Sequence, residues 1–269
     1  MPNLLLHSMA EFAEILLTSL EIAGAKDVVE IGAEYGTMTR ELMDYTEGKS
    51  GSLVAIDPSP SPELKAMFGE SSSASLVEDL SLNAIPELTA DAWIVDGDHN
   101  YYTVLNESKL IWERCQADKR PFLVFYHDVG WPCARRDQYC APHQIPKDFR
   151  QPFSWDHGIA LDNDGVVEGG FRGNGNWAPA LKEGGEKNGV LTAIDDFVTG
   201  KEEHLLWARI PAVFGLGVLF SNQAPWTETL SALLMPYHEN PLLERLERNR
   251  LECYLRVLEW QDGIQKRSA

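Results

Sequence analysis

Apolar positions in this chain switch between two periods. Met9, Phe12, Ala13, Leu16 and Leu20 recur every three or four residues, which predicts an amphipathic first helix. Residues 27–32 (DVVEIG) run apolar into a glycine turn and predict a strand, and 37–45 predicts a helix. The alternation continues with strand 51–58, short helix 61–68, strands 74–79 and 91–98, helix 101–116 and strand 121–129. Helix 101–116 places Tyr101, Val104, Leu105, Ser108, Ile111, Trp112 and Cys115 on one face. Nearly continuous apolar strands separated by helices predict a parallel sheet covered on both faces.

The pattern breaks after residue 129. Residues 129–189 are rich in Gly, Pro and Trp, with a hairpin expected at 158–170 around Asn163-Asp164-Gly165. A segment this long is functional or carries small elements of its own. It reads as a lid inserted in a single domain spanning 1–269. A helix is expected at 189–198, then strands 204–210 and 212–220, which must pair antiparallel because so little chain joins them. Residues 226–266 read as a C-terminal helical segment. Its long helix, 240–261, carries an apolar stripe of Leu251, Tyr254, Leu255 and Leu258 and two supportive pairs, Glu244/Arg248 and Glu252/Arg256. The stripe either packs on the domain or serves a homodimer. The expected fold class is α/β: a doubly wound, mostly parallel, seven-stranded sheet with an antiparallel last strand and a long insertion after strand five.

Composition narrows the function. The chain has 269 residues, 44% hydrophobic and 24% charged, as in a soluble globular domain. A net charge of −18 argues against a nucleic-acid partner, because such affinity comes largely from Lys and Arg on phosphates. No apolar run approaches the roughly 20 residues that span a bilayer. The apolar run at 4–6 is too short, and too soon followed by Glu11 and Glu14, for a signal peptide. Cys115, Cys133, Cys140 and Cys253 form no dense framework, so a reducing cytoplasm is expected. Cys115 and Cys253 are expected to pack on helices, and Cys133, Cys140 and His143 match no common zinc spacing.

The chemistry sits at the strand ends. Glu30, Asp57, Asp79, Asp96, His127 and Asp128 all close apolar strands at the carboxyl edge, where open α/β sheets bind ligands. In IVDGDHNYY (94–102) a buried strand runs into Asp96, Asp98 and His99, and charges there need partners, water or a metal. Asp98 is read as the cap of helix 101–116.

The spacing Glu30-x-Gly32-x-x-x-Gly36 is not the dinucleotide fingerprint G-x-G-x-x-G. It resembles motif one of the class I S-adenosylmethionine-dependent methyltransferases, and the resemblance extends over strands one to five and the terminal antiparallel pair. It implies that Glu30, Gly32, Ala33, Tyr35, Gly36 and Thr37 line the methionine part of S-adenosyl-L-methionine. Asp57 would accept from the ribose hydroxyls, and Glu78 or Asp79 would sit near the adenine amine. Asp96, then His99 three residues on, and the His127-Asp128 pair resemble the metal-dependent sugar and natural-product O-methyltransferases of this class. The resemblance implies a divalent metal, Mg or Mn, on Asp96 and Asp128, and His99 as base. Asp96 would also border the cofactor.

His127 departs from the family's oxygen-donor pair. It is a ligand for a later metal, a second base, a substrate contact or a structural histidine. Trp131, Arg135, Arg136, Tyr139, His143, Trp155 and Trp177 are the lid's candidates for acceptor walls, with the arginines equally suited to pairing carboxylates. The leading reading is metal-assisted O-methylation of a small hydroxylated molecule, a sugar or natural product. Its rivals are a metal-independent N- or O-methyltransferase using His99 or His127, and a non-catalytic nucleoside-binding protein.

Overall fold

The computed structural model describes residues 5–69 and 71–268, the last five as backbone only. Position 4 of the N-terminal apolar run lies outside the described residues. Five parallel strands form most of one sheet: β1 (Asp27–Ile31), β2 (Ser52–Ile56), β3 (Ala74–Val77), β4 (Ala92–Val95) and β5 (Leu123–His127). A two-residue pair in the insertion, β6 (Gln138–Tyr139) and β7 (Ala178–Pro179), stands apart. β8 (Leu205–Ile210) and β9 (Leu216–Ser221) complete the main sheet in the order β3-β2-β1-β4-β5-β9-β8, with β9 antiparallel to both neighbours.

The helices are α1 (Ala13–Ala23), α2 (Thr37–Gly48), α3 (Pro62–Gly69), α4 (Ser81–Ala84), α5 (Tyr101–Asp118), α6 (Val190–Val198), α7 (Thr227–Leu234) and α8 (Pro241–Ser268). No described helix is long and apolar enough to cross a membrane.

The pleat explains the two-sided core. Along β4, Ala92 and Ile94 face α1, α2 and α7 with Leu16, Leu20, Leu42 and Leu230. Trp93 and Val95 face α5 and α6 with Val104, Ile111 and Phe197. β5 alternates in the same way, Leu123 and Phe125 against Val124 and Tyr126. Each fully buried Leu contributes about 1.5–3 kcal/mol from burial. The same period carries three polar groups onto one face: Glu30 follows Val28, Asp96 follows Ile94, and His127 follows Phe125. Val95 pairs with Tyr126, so Asp96 and His127 reach the sheet edge side by side.

The insertion is anchored at its root. Asp137 Oδ1 accepts from the Tyr101 and Gly189 amides at 2.7 and 2.6 Å, and Oδ2 accepts from the Tyr139 hydroxyl at 2.6 Å. Bridges Gly158↔Val167 and Ile159↔Phe171 close the expected hairpin over an Asn163 turn.

On α8 the ion pairs differ from expectation. Arg248 pairs forward with Glu252 and across to Asp162, and Glu244 lies near Arg209, because partners outside the helix compete for these charges. Cys253 is exposed rather than packed.

Candidate active site

A cavity of about 1410 Å³ opens along the carboxyl edge of β1 to β5. The loops after β1 and β4 pack closely at its floor: a Cβ on Gly32 would lie 2.3 Å from the Asp96 carbonyl oxygen, and Gly32 has φ +86°. Only glycine fits that backbone and that approach. Glu30, Gly32, Ala33, Tyr35 and Thr37 line the cavity; Gly36 does not, and faces Met67 and Leu64 on α3 instead. Glu30 is buried, and Thr39 Oγ1 donates to its Oε2 at 2.7 Å. Burial pushes its pKa up to about 8 against that hydrogen bond, with Asp96 and Asp57 adding to the rise.

Four titratable groups meet beyond Glu30. His127 Nδ1 lies 3.0 Å from Asp96 Oδ1 and 3.1 Å from Asp128 Oδ2. Its Nε2 lies 2.9 Å from the Val213 carbonyl, which only accepts, so Nε2 carries a proton. His99 Nε2 lies 3.1 Å from Asp128 Oδ2 and 3.5 Å from Asp96 Oδ1. Burial works against charge on both histidines, but Asp96 and Asp128 override it: His127 is raised well above an ordinary imidazole, and His99 rises to about 9. Burial likewise opposes ionisation of Asp96, yet His127 and His99 hold it down at about 2, and Asp128 is lowered too. Two imidazolium groups thus balance two carboxylates. Asp128 adopts φ 60°, a strained setting for a non-glycine residue that turns its carboxylate back toward His99.

The cluster also suits a divalent cation. One ligand atom each from Asp96, His99 and Asp128 lies within 4.8 Å of the others. His127 contributes differently: its Nδ1 could face a cation only after losing a proton, with Nε2–H still held by Val213 in the manner of outer-shell partners. Cys133, Cys140 and His143 are not part of this group.

At the far end Asp57 lines the cavity, and its Oδ1 accepts from the Ser59 amide at 2.8 Å. Glu78 pairs with Lys65, and Asp79 Oδ1 accepts from the Leu80 amide and Asn83 Nδ2 at 2.7 and 2.9 Å. The expected cap of α5 is corrected: Asn100 Oδ1 accepts from the Thr103 amide at 3.0 Å, while Asp98 Oδ2 takes the Thr103 hydroxyl.

Most of the lid's polar and aromatic candidates are structural. Arg135 pairs with Asp195 at 2.7 Å. Buried Arg136 donates to the carbonyls of Ala180 and Asp164 at 2.6 and 2.8 Å. Trp131, Tyr139, His143 and Trp155 do not line the cavity, whereas Trp177 does.

Three contributors escape sequence reasoning. Leu5, His7, Ser8 and Met9 wall the cavity from the N-terminal segment, and Phe214 from the β8–β9 turn and Tyr254 from α8. Both groups lie far from the motifs. Glu107 lines it as well, fully buried on α5. Its signal was present, since a glutamate three residues after Val104 and four before Ile111 interrupts an apolar stripe.

No family model matches the chain, and no curated protein does. Solved structures resemble it distantly. The S-adenosylhomocysteine-bound methyltransferase PaMTH1 of Podospora anserina is 15% identical with a TM-score of 0.43, over 77% of this chain and 76% of that one. The O-methyltransferase TomG of Streptomyces achromogenes, involved in tomaymycin synthesis and solved with S-adenosylmethionine, is 12% identical with a TM-score of 0.46, over 80% and 82%. Strand order defines the fold more firmly. Five parallel strands ordered β3-β2-β1-β4-β5, closed by an antiparallel β9 inserted before β8, make the doubly wound, seven-stranded Rossmann-like sheet expected from the sequence.

Proposed function

We propose that the chain transfers a methyl group from S-adenosyl-L-methionine to a hydroxyl of a small molecule, a sugar or natural product, with a divalent cation on Asp96 and Asp128. The observation that carries this reading is the convergence of Asp96, His99 and Asp128 in one cavity with Glu30 and Asp57. Glu30 borders the place of the cofactor's ammonium, whose charge would draw it into its ionised form. Asp57 offers the ribose hydroxyls a carboxylate that only accepts.

A hydroxyl is a poor nucleophile until it loses its proton. A cation in the cluster would stabilise the alkoxide as a Lewis acid. His99 is placed to take the proton, a role worth typically 10²–10⁴-fold. Charged at neutral pH in the cation-free cluster, it becomes a competent base once its proton leaves. The cavity volume suits a nucleoside and a small acceptor together, and the insertion would keep water from them.

A second reading rests on its own observation. The two histidines already neutralise the two carboxylates, so the cluster is complete without a cation, and methyl transfer to oxygen or nitrogen could use His99 alone. Exhaustive chelation separates the two. Under the first reading turnover falls and returns with Mg²⁺ or Mn²⁺; an unchanged rate in fully demetallated protein establishes the second.

A further inference from the structure

α8 buries one face and leaves the other bare. The stripe expected from the sequence turns inward: Leu251 is buried against Leu5 and Phe214, and Tyr254 and Leu258 line the large cavity. On the opposite side Leu242, Leu246 and Trp260 are 63%, 56% and 67% exposed, with Asn249 and Cys253 exposed between them. At about 100° per residue, Leu242 and Trp260 share one angular position, about 27 Å apart along the helix. Leu246, Asn249 and Cys253 fall within about 40° of that line. Large apolar side chains gathered on one exposed stripe mark an interaction surface.

Two observations identify the occupant as a second copy of the chain. The first is charge. The chain carries −18 overall, which opposes self-association over most of its surface. Residues 241–260 hold none of that excess, because Glu244, Glu247, Glu252 and Glu259 balance Arg245, Arg248, Arg250 and Arg256. Two acidic chains can meet here without repulsion, whereas a basic partner would gain more elsewhere on the surface.

The second is register. A two-fold axis crossing the stripe level with Leu251 runs the partner's helix antiparallel, and residues equally far from that level on either side face each other. Leu242 lies nine positions before Leu251 and Trp260 nine after it. Leu242 thus meets the partner's Trp260 at both ends, and Asn249 meets the partner's Cys253 near the centre.

We infer that two copies of the chain pair through the outer face of α8, antiparallel about a two-fold axis level with Leu251. Tyr254 and Leu258 stand on the inner face of the same helix, so the partner braces a wall of the cavity. The inference does not depend on which reaction the cavity catalyses.

Sedimentation equilibrium over about 1–100 µM tests it. The wild type should show a species of twice the 30.1 kDa chain. Trp260→Ser and Leu242→Gln, both at exposed positions, should each weaken the dimer by at least about 10-fold, as for an interface anchor. Leu206→Gln, exposed on β8, should leave it unchanged. A second measurement locates the contact. With Cys140→Ser removing the other exposed thiol, an ethane-bridged bismaleimide should join Cys253 to the partner's Cys253. A wild type that stays monomeric throughout overturns the inference. So does a dimer that both α8 substitutions leave intact, one that only Leu206→Gln disrupts, or one in which Cys253 is not cross-linked.

Discussion

His127 Nδ1 sits 3.0 Å from Asp96 Oδ1, and the pair is made by the sheet itself. Each residue is the next same-face position at the end of its strand, and the Val95–Tyr126 register sets the two level. His127 is 1% exposed at its side chain, and its other nitrogen is fixed by Val213. Val213 and Phe214 both adopt positive φ in the turn between β8 and β9, a costly conformation for a β-branched residue, so the turn is held in place to present that carbonyl. In the cation-free protein His127 is a structural cation between two carboxylates.

Removing it should therefore leave two acids without their counter-charge. His127→Gln in demetallated protein should lose about 3–5 kcal/mol of unfolding free energy, the usual consequence of breaking a buried pair from one side. Urea unfolding at pH 7 measures this. Added Mn²⁺ should recover part of the loss if a cation takes the same place.

His99 should behave differently. Its imidazole is held charged to about pH 9 by Asp128 and Asp96, so a cation entering the cluster must expel protons. Titration of Mn²⁺ in buffers of different ionisation enthalpy should show proton release at pH 7.5, reduced in His99→Ala. The same variant should bind S-adenosylhomocysteine nearly normally. Its turnover should fall by about two to four decades and recover as pH rises.

Glu30 predicts a pH dependence of stability. Burial lifts its folded pKa from 4.5 to about 8. A carboxyl raised in the folded state binds its proton more tightly there, so its contribution is fully present below 4.5 and is lost as pH rises through 8. Unfolding free energy should decline between pH 5.5 and 8.5, and Glu30→Gln should gain on the wild type across that interval. Parallel curves for the two proteins would show that Glu30 does not titrate there.

How much of this was legible depends on distance along the chain. The strands could be read because both faces of each are covered, leaving runs such as 92–95 and 122–125 with no polar position inside. The meeting of Asp96 with His99 follows from three residues of loop, and that of Asp96 with His127 from the pleat. Contacts set by tertiary approach were not legible. Arg136 bonding Ala180 and Asp164, Arg248 preferring Asp162, and Val213 holding His127 each span 27 residues or more. Asn100 displaced Asp98 as the α5 cap because two residues of similar capping strength lay two positions apart. Glu107 was hidden inside a helix whose stripe was read only for its apolar members.

The insertion should show two behaviours. Its root at 136–139 is tied to α5 and α6 through Asp137 and the Gln138 amide on the His99 carbonyl at 2.9 Å. The cavity-facing stretches at 140–145 and 171–177 carry fewer such ties. Hydrogen exchange should be slow at the root in the free protein. It should slow at 140–145 and 171–177 only when cofactor product and acceptor are both bound. Strong protection throughout without ligand would make the segment a rigid wall.

The most direct measurement is calorimetric titration of the wild-type chain with S-adenosylhomocysteine and, separately, with NAD. The crevice built by Glu30, Gly32 and Asp57 should bind S-adenosylhomocysteine and not NAD. Asp57→Ala should weaken that binding by about 1.5–3 kcal/mol, as for lost hydrogen bonds to a charged group. Binding of NAD with none of S-adenosylhomocysteine would contradict the account.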